Sequence, residues 1–484
     1  MLPHGRYMVI TRRMTPEREQ HLLPTIAVLA MCTASAQWGT SAVNAALPEM
    51  AGWAGSTAHA QWAVVSYLLA LTAASLVVGY LGDLLGRIGV LQVGLLLFGG
   101  ASVLCALAPT IWILILGRVL QGVGAASMTA LPLALVRDKV PAERSGIVMG
   151  TLGTAMAIGT ASGPALGGLL IGVWGWPVIF WAMLPLALVL LGALLWMGAG
   201  ENRKDSMVRS TRQRTRSDFD LLGTATLVAL IAILSFVFTT AKMAFLPLLG
   251  LLLTALMLLV FLVLIERRAS HPILPADMLR HPVVAGGALL NVTVAAIMMS
   301  TLVVGPFYLT GALGLGTAAM GVAMSAGPLT SVCVGVLAGR LVDRGTPERL
   351  LTLGILLMAV AASAFAVLPP LIGLPGYLTG TVLLAPGYQL FMAANNTQVM
   401  RQVPGVRRGT TAGLLSLSRS IGQVIGASLI ASFFAVVVGG PAQAPRPDLD
   451  TGLHVVFGAL ALILLVAALV SRVLGRRAGT ELAP

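Results

Sequence analysis

The sequence predicts an all-α membrane protein of fourteen transmembrane helices, arranged as two six-helix halves with a helix pair inserted between them. Three observations predict it. Of the 484 residues, 57% are hydrophobic and only 10% are charged, a balance that excludes an ordinary soluble domain. The apolar residues gather into fourteen runs, each long enough to cross a bilayer as a helix. The basic residues are lopsided: with residue 1 in the cytoplasm and the spans alternating, 26 of the 30 Lys and Arg fall on the cytoplasmic side. Only Lys242 and Arg446 fall outside, and Arg118 and Arg419 lie within spans. This placement accounts for the net charge of +13 and leaves no need for a nucleic-acid partner. Cys32, Cys105 and Cys333 all sit in apolar runs, which does not suit a secreted disulfide framework.

In chain order, residues 1–21 read as a cytoplasmic tail. The first six spans, at about 22–47, 60–81, 88–108, 110–136, 146–171 and 177–198, form an N-terminal half over 22–198. Ala34-Ser35-Ala36 would suit signal-peptide cleavage, but the apolar run continues past it and further spans follow. The Arg-rich segment 199–218 reads as a cytoplasmic linker. Spans at about 219–240 and 243–265 form the inserted pair, 219–265, followed by a cytoplasmic loop, 266–282. The last six, at about 283–310, 317–342, 348–368, 371–395, 408–437 and 452–475, form a C-terminal half over 283–475, with a cytoplasmic tail at 476–484. An internal repeat supports the two halves. Gly79-Tyr-Leu-Gly-Asp83 after the second span and Gly339-Arg-Leu-Val-Asp343 closing the tenth both read GxLxD, 260 residues apart. Paired halves of this kind hold a transported substrate near the midplane between them.

The fifth span carries the strongest local pattern. Gly159, Gly163 and Gly167 are spaced by four and share one helix face, on which another helix can approach backbone to backbone. Pro164 removes a backbone donor inside that stripe and bends the helix, and Gly168 follows. Such a stripe suits either a tight static crossing or a contact on which two halves rock, and the second makes Gly163 the position where added bulk should stop transport. Gly82 and Gly86 permit a tight turn, Asp83 can accept backbone N–H groups at a helix start, and Arg87 lies at the membrane surface. Arg118 within the fourth span is a costly charge, with Gln121 one turn away, and Arg419 forms a similar pair with Gln423.

Gly159, Gly163, Pro164, Gly167 and Gly168 satisfy GxxxGPxxGG, which resembles the fifth-helix signature of exporters in the major facilitator superfamily. Gly79-Tyr-Leu-Gly-Asp83-Leu-Leu-Gly86-Arg87 resembles its loop 2–3 signature, and Arg118-Val-Leu-Gln121-Gly122-Val-Gly124 its fourth-helix signature. The span count makes the drug:proton antiporter family with fourteen spans the nearest resemblance. Asn44-Ala-Ala-Leu-Pro48, Trp62, Tyr67, Pro306-Phe-Tyr308-Leu309, Asn395-Asn396 and Arg419 with Gln423 fit that family too. The resemblance implies multidrug efflux by alternating access, protons as the coupling ion, and a multi-pass protein of the bacterial inner membrane with both termini cytoplasmic. It makes Asp83 a latch between the halves, with Asp343 its counterpart, and gives Arg118 a role either in proton coupling or in structural hydrogen bonding.

The pattern breaks where relatives commonly carry an aspartate in the first span, which here is Gly39, and an asparagine in the sixth, which here is Met183. None of the seventeen acidic residues lies at the middle of a span. A buried carboxylate is the usual physical means of pairing with a lipophilic cation, so this chain is expected to prefer neutral, weakly basic or anionic lipophilic molecules. An aspartate at position 39 is expected to improve binding of a quaternary cation. Candidate substrate contacts are then neutral: Gln37, Trp38, Trp62, Tyr67, Gln121, Asn291, Tyr308, Gln389, Asn395 and Asn396, each of which could equally bridge helices. No nucleotide loop, zinc spacing or nucleophile–base arrangement is present, so neither an enzyme nor a cofactor nor a metal is expected. The sequence therefore reads as a monomeric, proton-coupled exporter of lipophilic small molecules in a lipid bilayer. An uncoupled or substrate-specific transporter, and a sensor that keeps the fold without transporting, are the alternatives.

Overall fold

The computed structural model describes residues 16–139, 142–199, 221–239, 245–268, 278, 280–403, 408–440 and 444–481. Most of the expected linker 199–218, residues 1–15 and the segment around Gln443 lie outside the described residues. Every element among the described residues is helical: α1 (Pro16–Ala54), α2 (Thr57–Leu85), α3 (Arg87–Ala106), α4 (Ile111–Lys139), α5 (Ala142–Trp174), α6 (Val178–Ala199), α7 (Leu221–Thr239), α8 (Phe245–Arg268), α9 (Pro282–Gly311), α10 (Thr317–Arg344), α11 (Pro347–Ile372) and α12 (Leu374–Arg401). α13 runs from Arg408 to Val438 through a π-helical turn at Gly426–Ile430, and α14 covers Arg446–Glu481. Eleven of these are long and apolar enough to cross a membrane, and twelve if α2, bent by 44° between Ser75 and Val77, counts as one span. The remaining two differ from expectation: α7 has a short apolar stretch, Leu222–Phe238, and α12 carries Gln389, Asn395, Asn396 and Gln398 within its length.

The helices form because an apolar environment leaves backbone groups no partner but one another. Prolines interrupt α1, α4, α5, α6, α9, α10, α11 and α12 without ending them. Serine and threonine hydroxyls bond back to carbonyls three or four residues earlier, as Thr33, Thr40, Ser102 and Ser300 do. α1 continues unbroken through Ala34–Ala36. Helix ends are marked locally: Ser56 caps α2, and Gly86, at φ 95°, turns the chain from α2 into α3 where a side chain would be strained.

α1 packs on α5 and α2, α2 on α4, and α3 on α4 and α6. Among the later helices α9 packs on α13 and α14, α10 on α12, and α11 on α12 and α14. The two groups meet where α5 crosses α10, where α1 meets α9, and where α2 meets α13. Large apolar side chains such as Leu96, Leu116, Leu252, Leu256, Leu462 and Val466 remain exposed on the outside, as lipid-facing surfaces require. These features describe an integral membrane protein of the two-bundle transporter fold.

Candidate functional site

The fifth helix meets two different neighbours. A side chain at Gly159 would run into the Ala34 carbonyl, one at Gly163 into Ser41, and one at Gly167 would lie 3.2 Å from Ala42, so the stripe packs on α1 within the first six helices. The contact with the last six helices is one residue further round. A Cβ at Gly168 would lie 2.6 Å from the Thr317 carbonyl and 2.9 Å from Gly321 Cα, and one at Gly321 would strike the Pro164 carbonyl. The expectation that Gly163 touches the opposite half is thus corrected. Period-four spacing put the three glycines on one face, and that face packs on Ala34, Ser41 and Ala42 of α1. Gly168 and Pro164 supply the contact between groups.

This contact lies toward the C-terminal end of α5 and the N-terminal end of α10. Glu49, at the end of α1, reinforces it there: one carboxylate oxygen accepts the Trp176 N–H at 3.2 Å and the other lies 3.5 Å from the Thr317 hydroxyl. At the opposite end, which carries the Asp83 and Asp343 turns, Gly150 and Gly153 on α5 and Gly339 on α10 face open space. Asp83 lies in the last turn of α2 and not at a helix start, so the expected N-cap role is corrected. Its Oδ1 accepts from Arg87 at 2.8 Å, while Arg87 Nη1 donates to the Ala134 carbonyl at 2.7 Å and ties the turn to α4. Asp343 is exposed at the end of α10.

Arg118 is the one charged side chain among the fully buried described residues. Its Nε donates to the Ala63 carbonyl at 2.7 Å and its Nη1 to Gln121 Oε1 at 2.7 Å. Gln121 in turn donates to Ser102 at 2.7 Å and to Met183 Sδ at 3.5 Å. The guanidinium lies over the Tyr67 ring, 4.1 Å from its centroid, with Phe180 at 5.9 Å. Nη2 has no partner, and no Asp or Glu is among the buried described residues. A guanidinium enclosed by two rings, a carbonyl and an amide is held by cation–π and dipole contacts instead of a counter-charge.

Gly39 explains the arrangement. A Cβ there would lie 3.2 Å from Phe98 and 3.7 Å from Met183, so this position faces the packed interior of the first bundle and not an open cavity. This runs against the expectation that an aspartate at 39 would meet a substrate cation, since its Cβ would already press on Phe98 and touch Met183. Met183, where the resemblance led us to expect an asparagine, accepts from Gln121 through sulfur.

Most of the neutral candidates bond helix to helix. Tyr67 donates to the Ala36 carbonyl at 2.9 Å, Asn291 to the Leu415 carbonyl at 2.6 Å, and Asn395 to the Gly287 carbonyl at 3.1 Å. Gln389 donates to the Ser331 carbonyl at 2.9 Å, and Tyr308 to Asp450 at 2.9 Å near the start of α14. Trp62 meets Phe236 of α7, on the outer side of the bundle. Gln37 and Arg419 are half-buried and Asn396 is exposed, whereas Trp38 is buried with its indole N–H unpartnered. Glu49, Thr317 and Gly321 were not singled out in the sequence. The small-residue run Thr317-Ala-Ala-Met-Gly321 at the start of α10 is the signal that could have found them.

The sequence model of the Major Facilitator Superfamily matches residues 29–427. The chain is 29% identical over 437 residues to Uncharacterized transporter YebQ of Escherichia coli (strain K12), covering 88% of this chain and 90% of that protein. It is 30% identical over 411 residues to Multidrug resistance protein Stp of Mycobacterium tuberculosis (strain CDC 1551 / Oshkosh), covering 81% and 72%. Riboflavin transporter RibZ of Clostridioides difficile (strain 630) is 26% identical over 375 residues, covering 78% and 80%. The crystal structure of peptide transporter POT in complex with sulfate has the same fold, with a TM-score of 0.66 at 14% identity over 93% of this chain and 95% of that one.

Proposed function

The chain belongs to the Major Facilitator Superfamily, and from that premise we propose that it is a secondary active exporter of lipophilic small molecules, working by alternating access and driven by protons. The observation that carries this reading is the asymmetric meeting of α5 and α10. They touch backbone to backbone through Pro164, Gly168 and Gly321 at one end, and Gly150, Gly153 and Gly339 face open space at the other. Two bundles hinged in this way can exchange which end is closed. In this reading the turns at Asp83 and Asp343 lie in the cytoplasm of a bacterial inner membrane, both termini are cytoplasmic, and the protein acts as a monomer. Gln37, Trp38 and Asn396 remain the candidates for substrate contact.

A second reading has a specific observation behind it. Arg118 is buried without an acidic partner among the described residues, and the position of the family's aspartate is packed by Phe98 and Met183. This favours neutral or anionic substrates, either through a substrate-specific exporter or through an uncoupled facilitator. Reconstitution decides between them. Efflux of a neutral lipophilic dye from proteoliposomes should rise with an imposed pH gradient and fall on adding a protonophore. Equal efflux with and without the gradient would establish the facilitator, and no efflux of neutral or anionic compounds would overturn both.

A further inference from the structure

Two lateral seams join the first six helices to the last six, α5 against α10 and α2 against α13. They are covered differently. α7 packs on α2 and on α13, including its π-helical turn, so it lies along the α2–α13 seam. Trp62 of α2 and Phe236 of α7 meet with ring centroids 6.1 Å apart, and Leu227, Leu230 and Ile231 of α7 are buried. α8 packs chiefly on α7 and adds a second layer whose outer side, with Leu252, Leu253 and Leu256, is exposed and apolar. Along the α5–α10 seam no such helix lies outside among the described residues, and only α1 packs on both, from within. That seam is shut at one end by Gly168 and Gly321, while toward the other a Cβ added at Gly150, Gly153 or Gly339 would meet open space. On the same half of α10, Leu329, Cys333, Val336 and Leu337 are exposed.

We propose that α7 is a lateral seal. It closes the α2–α13 seam to lipid, so that a molecule dissolved in the bilayer reaches the interior only between α5 and α10, at the end bearing the Asp83 and Asp343 turns. The physical reason is packing: a helix seated in the groove of two others excludes acyl chains along its length, and the Trp62–Phe236 ring pair joins α7 to α2 there. The route named here rests on the reading of the substrate as lipophilic; the seal itself does not.

The test uses the full chain with Cys333→Ser, which removes the exposed thiol and leaves Cys32 and Cys105 buried. A bimane fluorophore is placed on Gly153→Cys in one protein and on Trp62→Cys in another, and each is reconstituted in phosphatidylcholine brominated along its acyl chains. The label at 153 should be quenched several-fold more than the label at 62, and adding Phe236→Ala should raise quenching at 62 several-fold. A second arm measures export of Nile red. A pyrene-maleimide adduct on Gly153→Cys should slow it several-fold, while the same adduct on Leu256→Cys of α8 should not. Equal quenching at 62 and 153 overturns the seal, and unslowed export with the adduct at 153 overturns the route. If no protein exports Nile red, the proposed function fails for that dye, and the quenching arm still decides the seal.

Discussion

At the scale of single residues the molecule turns on Arg118 and on the two positions that fail to answer it. A buried guanidinium without a carboxylate is costly, yet its neighbours are arranged to hold it: a ring beneath, a carbonyl at Nε and an amide at Nη1. Replacing a well-enclosed buried charge by an apolar side chain of similar volume is often neutral for stability. Arg118→Met is therefore expected to keep the melting temperature within about 4 °C of wild type while lowering transport at least about tenfold, if the charge is retained for function. A fall in stability matching the fall in transport would make the residue structural. Gly39→Asp is expected to behave differently from what the sequence alone suggests. A Cβ at 39 lies 3.2 Å from Phe98 in a buried site, so the aspartate should lower thermal stability and leave affinity for a quaternary dye unchanged. Improved dye binding in a titration of the two proteins would show that position 39 opens to the cavity in another state of the cycle.

At the scale of elements, α5 shows what a sequence tells and where it stops. Glycine spacing made the close-packed face legible, and apolar runs made nearly every helix legible, because both depend on neighbours three or four residues away. Partner choice was not legible, since it joins residues far apart in the chain: Tyr308 bonds Asp450 across 142 positions, and Asn291 reaches Leu415 across 124. An amide or phenol inside a span looks the same whether it meets a ligand or a carbonyl of another helix. For the same reason Trp62, an apparent cavity aromatic, proved to face α7, and Glu49 at a span end gave no hint of its bonds to Trp176 and Thr317. The two faces of α5 separate in a measurement. Gly163→Leu forces α1 and α5 apart inside one bundle and should reduce folded yield and melting temperature. Gly168→Ala presses first on the Thr317 carbonyl and Gly321 of α10, so it should leave the first bundle standing while increasing labelling, by an impermeant thiol reagent, of a cysteine placed at Ala318. Unchanged labelling at Ala318 would mean that this contact does not hold the far end shut.

At the scale of the whole molecule, sidedness and substrate charge follow from where charges are and are not. Alternating fourteen spans would put 26 of the 30 basic residues on one side, so cysteines at Ser210 and Gln443, both outside the described residues, should label from opposite faces; labelling of both in intact cells by an impermeant reagent would contradict the orientation. Substrate charge is the more demanding case. A permanent cation inside the bundle gains from a carboxylate partner about 4 kcal/mol at 4 Å and an effective dielectric near 20, before desolvation. About a quarter of that, surviving desolvation, changes affinity roughly fivefold. Here no described acid is buried, and the buried charge is Arg118, which disfavours a second cation and favours a negative group. Two pairs of compounds isolate this effect: a tertiary amine against its N-methylated quaternary form, and an amide against the matching carboxylate. Because the members of each pair share shape and nearly share lipophilic area, differences within a pair report charge. The quaternary form should bind at least about fivefold more weakly than the uncharged amine at alkaline pH, and the carboxylate should bind no more weakly than the amide. Arg118→Met should weaken binding of the carboxylate and leave the amide unaffected. Tighter binding of the quaternary form would instead mean that an aromatic face, with Trp38 the buried candidate, holds the cation without any acid.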